Sequence, residues 1–230
     1  MPTKGEITER LQEVRDRIAD AVRLAGRDPG SVRLVLASKT QPPAAIAEAA
    51  AAGVRDFGEN YVQEAVRKRS ALADRDIRWH LIGHLQTNKA RAAVEIFNLI
   101  QSLDDPRLAT ALFRLHPSPP MPVLVEMNLG GETSKSGVEP ELAEALVNSI
   151  RNQVDIQGLM AIPPMTGTLD GTRPFFAQLR LLRDRLAVAT GLALPELSMG
   201  MTDDFELAIL EGATIVRVGR AVFGERLIKA

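Results

Sequence analysis

The sequence predicts an α/β fold, a (β/α)8 TIM barrel of parallel strands alternating with helices and preceded by an extra N-terminal helix. Three observations carry that prediction. Eight apolar runs of strand length recur along the 230 residues, most of them followed by a stretch of helical periodicity. The runs are largely continuous in their apolar character, as befits strands buried on both faces of a parallel sheet. No linker rich in Pro, Gly or Ser divides the chain, so residues 1–230 read as a single domain. An open doubly wound sheet is the competing architecture, but eight units are what closes a barrel.

The elements follow in order. Ile7, Leu11, Val14, Ile18 and Val22 recur at spacings of three and four, describing an amphipathic helix that stops at Gly26, where a left-handed residue suits glycine. VRLVLAS (32–38) reads as the first strand and PAAIAEAAAAG (43–53) as an Ala-rich helix ended by Gly53. RDFG (55–58) precedes a helix from Tyr61, IRWHLIG (77–83) one from about Asn88, and FNLIQSL (97–103) one from about Pro106. PVLVEMNL (122–129), DIQGLMAI (155–162), ELSM (196–199) and TIVRVG (214–219) complete the eight strands, with helices at 140–151, 174–189 and 203–211. HPSPPMP (116–122) reads as a helix-to-strand loop, and PPMTGTLDGTRP (163–174) as a mobile loop after the sixth strand. LGGETSKSG (129–137) lacks the Gly-Lys-Ser/Thr ending of a nucleotide loop and reads as a rim loop.

Composition narrows the function. Hydrophobic residues at 45% and charged residues at 25% describe a soluble globular chain. Twenty-eight basic against 29 acidic residues leave a net charge of −1, which offers no positive field to nucleic acid or to an anionic membrane. The chain has no cysteine, so disulfides, thiolate catalysis and cysteine-based metal sites are excluded and a reducing compartment fits. The N-terminal stretch is charged throughout, and no run of 18 uncharged apolar residues follows, so a cytoplasmic location is expected.

In barrels of this kind the working residues gather at the C-terminal ends of the strands. Here those ends offer Lys39, Glu59 with Asn60, His80 with His84, Asp104, Asn128, Met160, Ser198 with Thr202, and Arg217 with Gly219 and Arg220. Strand alternation puts Val35, Ala37 and Lys39 on one face and the bulkier Leu34 and Leu36 on the other, which turns Lys39 toward the barrel mouth. Two readings stand for it. Desolvation lowers a lysine pKa and yields a neutral amine that attacks carbonyls; alternatively the side chain snorkels to water.

Ile215, Arg217 and Gly219 share a face, so a guanidinium also aims inward. Gly219 and Arg220 open a short terminal helix, and SMGMTDDFE (198–206) makes a second strand-to-helix junction, the arrangement that binds phosphate after strands seven and eight. Thr202 and Asp203 alone read first as a helix cap with Glu206; two junctions beside an inward arginine favour an anion site. Asn60 with Gln63 reads either as a cap or as a ligand contact. His80 and His84 lie four apart on a strand with no third ligand, so no metal is expected.

ASKTQ (37–41), FGENYVQE (57–64), WHLIGHLQTNK (79–89), GLMAI (158–162), LSMGMTDDFELAI (197–209) and RVGRAVFG (217–224) together resemble the pyridoxal phosphate homeostasis protein family. That family comprises single-domain relatives of the alanine racemase barrel, a fold-type III pyridoxal phosphate architecture. The resemblance implies that Lys39 carries pyridoxal 5'-phosphate as a Schiff base. It implies that Ser198, Thr202, Gly219 and Arg220 hold the phosphate, that Arg217 faces the pyridine nitrogen, and that Asn60 lies beside the ring. It further implies a monomeric carrier in cofactor homeostasis without robust turnover, open to free amino acids and acceptor apo-enzymes. Racemases of this type add a β-rich domain with a catalytic tyrosine, whereas the single tyrosine here is Tyr61, after the second strand. The alternatives are a pyridoxal-phosphate-dependent racemase or lyase, and a class I aldolase-like enzyme using Lys39 directly.

Overall fold

In the computed structural model, which describes residues 5–132, 136–164, 166 and 168–224, eight parallel strands close into a barrel in strict sequence order. They are β1 (Arg33–Ala37), β2 (Asp56–Glu59), β3 (Arg78–Leu81), β4 (Leu99–Leu103), β5 (Pro122–Met127), β6 (Asp155–Ala161), β7 (Glu196–Met201) and β8 (Ile215–Val218). The register of the closing seam sets Val35 opposite Arg217 and Leu36 opposite Val218.

Alternation divides each strand between two cores. Val35, Leu99, Leu124, Met160 and Ile215 form a small apolar cluster inside the barrel. Leu36, Phe57, Trp79, Leu81, Ile100, Val125 and Leu197 face outward into the larger core beneath the helices. Burial of that second layer is the dominant stabilising term, at about 25 cal/mol per Å² of apolar surface removed from water.

The helices are α1 (Glu6–Leu24), α2 (Pro43–Ala51), α3 (Val62–Ala71), α4 (Ala90–Ile96), α5 (Pro106–Leu115), α6 (Ala143–Ile150), α7 (Leu169–Thr190), α8 (Phe205–Leu210) and α9 (Arg220–Phe223). α1 is the extra helix. Its buried stripe of Ile7, Leu11, Val14, Ile18 and Val22 packs against α2, α8 and α9. Arg17 stacks 4.5 Å above the Phe205 ring and pairs with Glu206.

One expectation needs correction. The segment 163–174 is not wholly a loop, because α7 begins at Leu169, capped by the Thr168 hydroxyl that accepts from the Gly171 N–H at 3.2 Å. Pro174 then sits within the helix. Met165 and Gly167 lie outside the described residues. The rim loop after β5 returns to the sheet, where Val138 bridges to Met127, while residues 133–135 lie outside the description.

Candidate functional site at the C-terminal mouth

Lys39 follows β1 by two residues and is half buried. Val35, four residues earlier, points into the barrel and Leu36 points out, as alternation requires. The chain turns at Thr40, which holds the left-handed φ of 66°, rare for a β-branched residue.

Asn60 follows β2 and lines an open groove of ≈ 360 Å³ with Tyr61, Gln63, Gly83, His84 and Lys89. It caps nothing: the residue before α3 is Tyr61, and no side chain caps that helix. Gly83 passes so close that a Cβ there would sit 2.5 Å from the Asn60 carbonyl oxygen. The tight approach fixes the backbone of Asn60 at the mouth.

The β7–α8 and β8–α9 junctions lie side by side. Gly219 donates its N–H to the Thr202 hydroxyl at 3.4 Å, and a Cβ on Gly219 would meet the Ala37 carbonyl at 3.1 Å. Gly200 has φ 88° and no room for a side chain against Phe205 and Ala208. Neither Thr202 nor Asp203 caps α8. Asp204 precedes it instead and accepts from the Met201 N–H at 2.6 Å. Asp203 is exposed and paired with Arg220. Thr202, Gly219 and Arg220 are therefore gathered into one corner, on the same seam of the barrel as Lys39.

Ser198 occupies a different place. Its hydroxyl is fully buried, accepting from Arg217 Nη1 at 2.5 Å and donating to Gln101 Oε1 at 2.6 Å. The arginine is itself 4% exposed and donates its other nitrogen to the Ala161 carbonyl at 2.9 Å. Burial pulls its pKa down to about 10, against the opposing charges of Glu126 and Asp204. Ser198 thus holds the guanidinium, with its hydrogen committed to Gln101.

That contact begins a polar chain across the barrel. Arg217 can only donate, so the Ser198 hydrogen points to Gln101 Oε1 and the Gln101 amide nitrogen donates to His80 Nδ1, at 3.0 Å. His80 Nε2–H then donates to Asp56 Oδ1 at 2.9 Å, and Arg78 donates to the second Asp56 oxygen at 2.5 Å. Burial lowers the His80 pKa and keeps the imidazole neutral despite Asp56. Burial alone would raise Asp56, but hydrogen bonds from His80 and Arg78 outweigh it and hold the carboxyl below its usual range. Every link has one donor and one acceptor.

Glu126 completes the interior. It shares the inward face of β5 with Leu124, and burial, reinforced by the negative charge of Asp104 and partly offset by Arg217, raises its pKa to about 7. Asp104 accepts from the Gly137 N–H at 3.1 Å and faces His84 at 3.7 Å. Among the described residues no cluster of His, Cys, Asp and Glu is built to hold a metal ion.

Sequence reasoning did not single out Asp56, Gln101 or Glu126. For two of them the signal was there: Gln101 and Glu126 each interrupt an apolar run at the parity of an interior position, two residues from Leu99 and Leu124 respectively.

The chain matches the model of the alanine racemase N-terminal domain over residues 10–227. It is 46% identical over 224 residues to the pyridoxal phosphate homeostasis protein of Pseudomonas aeruginosa, covering 96% of each chain. It is 42% identical to PipY of Synechococcus elongatus, solved with pyridoxal phosphate bound, with a TM-score of 0.84 and coverage of 95% of this chain and 100% of that one. Alanine racemase from Corynebacterium glutamicum shares the fold alone, at 18% identity and a TM-score of 0.65 over 61% of its own length. With a closed barrel of this order, and matches of that identity along nearly its whole length, the chain belongs to the pyridoxal phosphate homeostasis protein family, within the alanine racemase N-terminal domain group.

Proposed function

We propose that this chain binds pyridoxal 5'-phosphate through Lys39 and serves its homeostasis as a monomeric, single-domain cytoplasmic carrier. The observation that carries the reading is the β1–β8 seam, which sets the end of the strand leading to Lys39 directly against Gly219. The donor set fits the group. Thr202, the Gly219 backbone and Arg220 supply hydroxyl, N–H and guanidinium donors for a phosphate monoester, while the first N–H groups of a helix such as α9 lack internal acceptors. When bound, the cofactor supplies an aldehyde that condenses with an amine.

The residues argue for holding rather than turnover. Arg217 has no acceptor and retains its charge at neutral pH, so facing the pyridine nitrogen it would disfavour protonation there and leave the ring a poor electron sink. Ser198 would act in this site by fixing Arg217, and Asn60, just after β2, would lie beside the ring. An open mouth gives free amino acids and acceptor apo-enzymes access.

The test is an absorption spectrum of purified protein with pyridoxal 5'-phosphate, before and after borohydride, followed by peptide mass mapping. The expected result is one adduct on Lys39, absent in a folded Lys39→Ala variant. An adduct on another lysine overturns the assignment, and absence of a visible band favours the aldolase-like alternative. Glu126 supports a second reading, a racemase or lyase, because its carboxyl stays protonated up to about pH 7 beside Arg217. Sustained entry of solvent deuterium at the α-carbon of an amino acid would select that reading.

A further inference from the structure

Lys39 is flanked by two residues that are anchored to the same buried cluster. α3 turns Val62, Ala65 and Lys68 toward the barrel, so a lysine occupies a helix face where an apolar side chain is the rule. Lys68 is 4% exposed. Its ammonium donates to the Ser38 carbonyl at 2.7 Å, to Glu59 Oε1 at 2.8 Å and to Glu64 Oε1 at 2.6 Å. Three donors thus meet three acceptors.

The cluster grips both sides of Lys39. The Ser38 hydroxyl donates to Glu59 Oε1 at 2.6 Å, and the Thr40 N–H donates to Glu64 Oε1 at 2.6 Å. Thr40 is the residue in the left-handed conformation that its side chain disfavours. A strained turn persists only where its surroundings over-determine it, and here the restraint comes from outside the barrel, through Glu59 at the end of β2 and Glu64 and Lys68 on α3. Burial raises the Glu59 pKa, and its Oε2 has no hydrogen-bond partner. The site depends on Lys68 for compensation.

We propose that Lys68 and Glu64, with Glu59, are positioning residues for Lys39: they lock the Ser38–Thr40 turn from beneath and thereby set where the Lys39 amine is presented. The inference rests on the reading of Lys39 as the cofactor lysine. Lys68 itself is not an alternative nucleophile, because all three of its donors are engaged and it lies under the helix layer.

The experiment compares Glu64→Ala, Glu64→Gln and Lys68→Met in the full chain. Glu64 is partly exposed, at 21% of its side chain, so its alanine variant retains a folded barrel even if Lys68→Met does not. Each variant is loaded with pyridoxal 5'-phosphate, trapped with borohydride and peptide-mapped. Its cofactor retention on dialysis, the pH midpoint of its visible band and the melting temperature of the unloaded protein are then measured.

Glu64→Ala is expected to label Lys39 still, but to lose cofactor about tenfold faster and to shift the pH midpoint, as expected for loss of charge-assisted hydrogen bonds. Glu64→Gln keeps an acceptor oxygen for the Thr40 N–H, so it should recover most of the retention. Wild-type retention and midpoint in folded Glu64→Ala overturn the proposal, as does a loss in both Glu64 variants that merely tracks melting temperature. An adduct on Lys68 in the wild type also overturns it. Wild-type labelling at some other lysine instead removes the underlying reading, an outcome identified before any variant is compared.

Discussion

At the scale of single residues, the barrel interior is organised by hydrogen-bond direction. Arg217 donates to Ser198, Ser198 to Gln101, Gln101 to His80 and His80 to Asp56. Removing one oxygen from this chain strands two buried groups. Ser198→Ala should therefore cost about 3 kcal/mol in denaturant unfolding, because an unpaired buried guanidinium donor and amide oxygen remain; a change within error would show that the chain is not stabilising. Glu126 makes the complementary prediction about pH. Its folded-state pKa is raised to about 7 from the ordinary 4.5, so the folded state holds the proton more tightly than the unfolded state. Stability is then full below about pH 4.5 and falls as pH rises through 7, by about 3 kcal/mol at most. Glu126→Gln, which cannot ionise, should be relatively more stable than wild type at pH 8 than at pH 5, as read from paired thermal melts. Parallel curves for the two proteins would refute the burial of that charge.

At the scale of elements, the strands are held at positions that tolerate no side chain. Gly158 sits where β6 slips register against β5, with Val123 opposite Ile156 but Leu124 opposite Gly158. Its φ is 155°, and a Cβ there would lie 1.9 Å from the Glu196 carbonyl on β7. Gly158→Ala should force β6 and β7 apart and cost about 3 kcal/mol or more, seen as a large drop in melting temperature or loss of soluble protein. Thr168 shows the opposite case, a residue whose presence starts an element. Its hydroxyl caps α7 just ahead of Asp170, Gly171 and Pro174, whose composition argues for a loop.

At the scale of the whole molecule, closure joins the two ends of the chain. β1 pairs with β8, and α1 lies across α8 and α9, so the Lys39 rim and the Thr202–Gly219–Arg220 corner belong to one rigid seam. A ligand that bridges that seam stabilises the entire barrel by mass action. Pyridoxal 5'-phosphate at a hundred times its dissociation constant should add about 2.7 kcal/mol, a shift on the order of 5–10 °C for a chain of this size. The shift should shrink in Lys39→Ala, whose unloaded melting temperature should stay near wild type. An undiminished shift in that variant would place the main contacts elsewhere. Among the described residues no helix is long and apolar enough to cross a membrane.

The strand count, their order and the inward parity of Arg217 were written in the sequence, because apolar period and glycine placement are local properties of the chain. So were the residues at the strand ends, since a barrel gathers them at one face whatever the details. What Ser198 touches was not legible, because its partners Gln101 and Arg217 lie 97 and 19 residues away and meet it only when the barrel closes. Nor was the burial of Lys68, a charge on α3 that only folding sets against the Ser38 carbonyl, Glu59 and Glu64. Sequence by itself determined which groups reach the barrel and its mouth. Tertiary structure alone decided which of them pair, because hydrogen bonding between buried groups depends on distances of a few tenths of an ångström that no local pattern encodes.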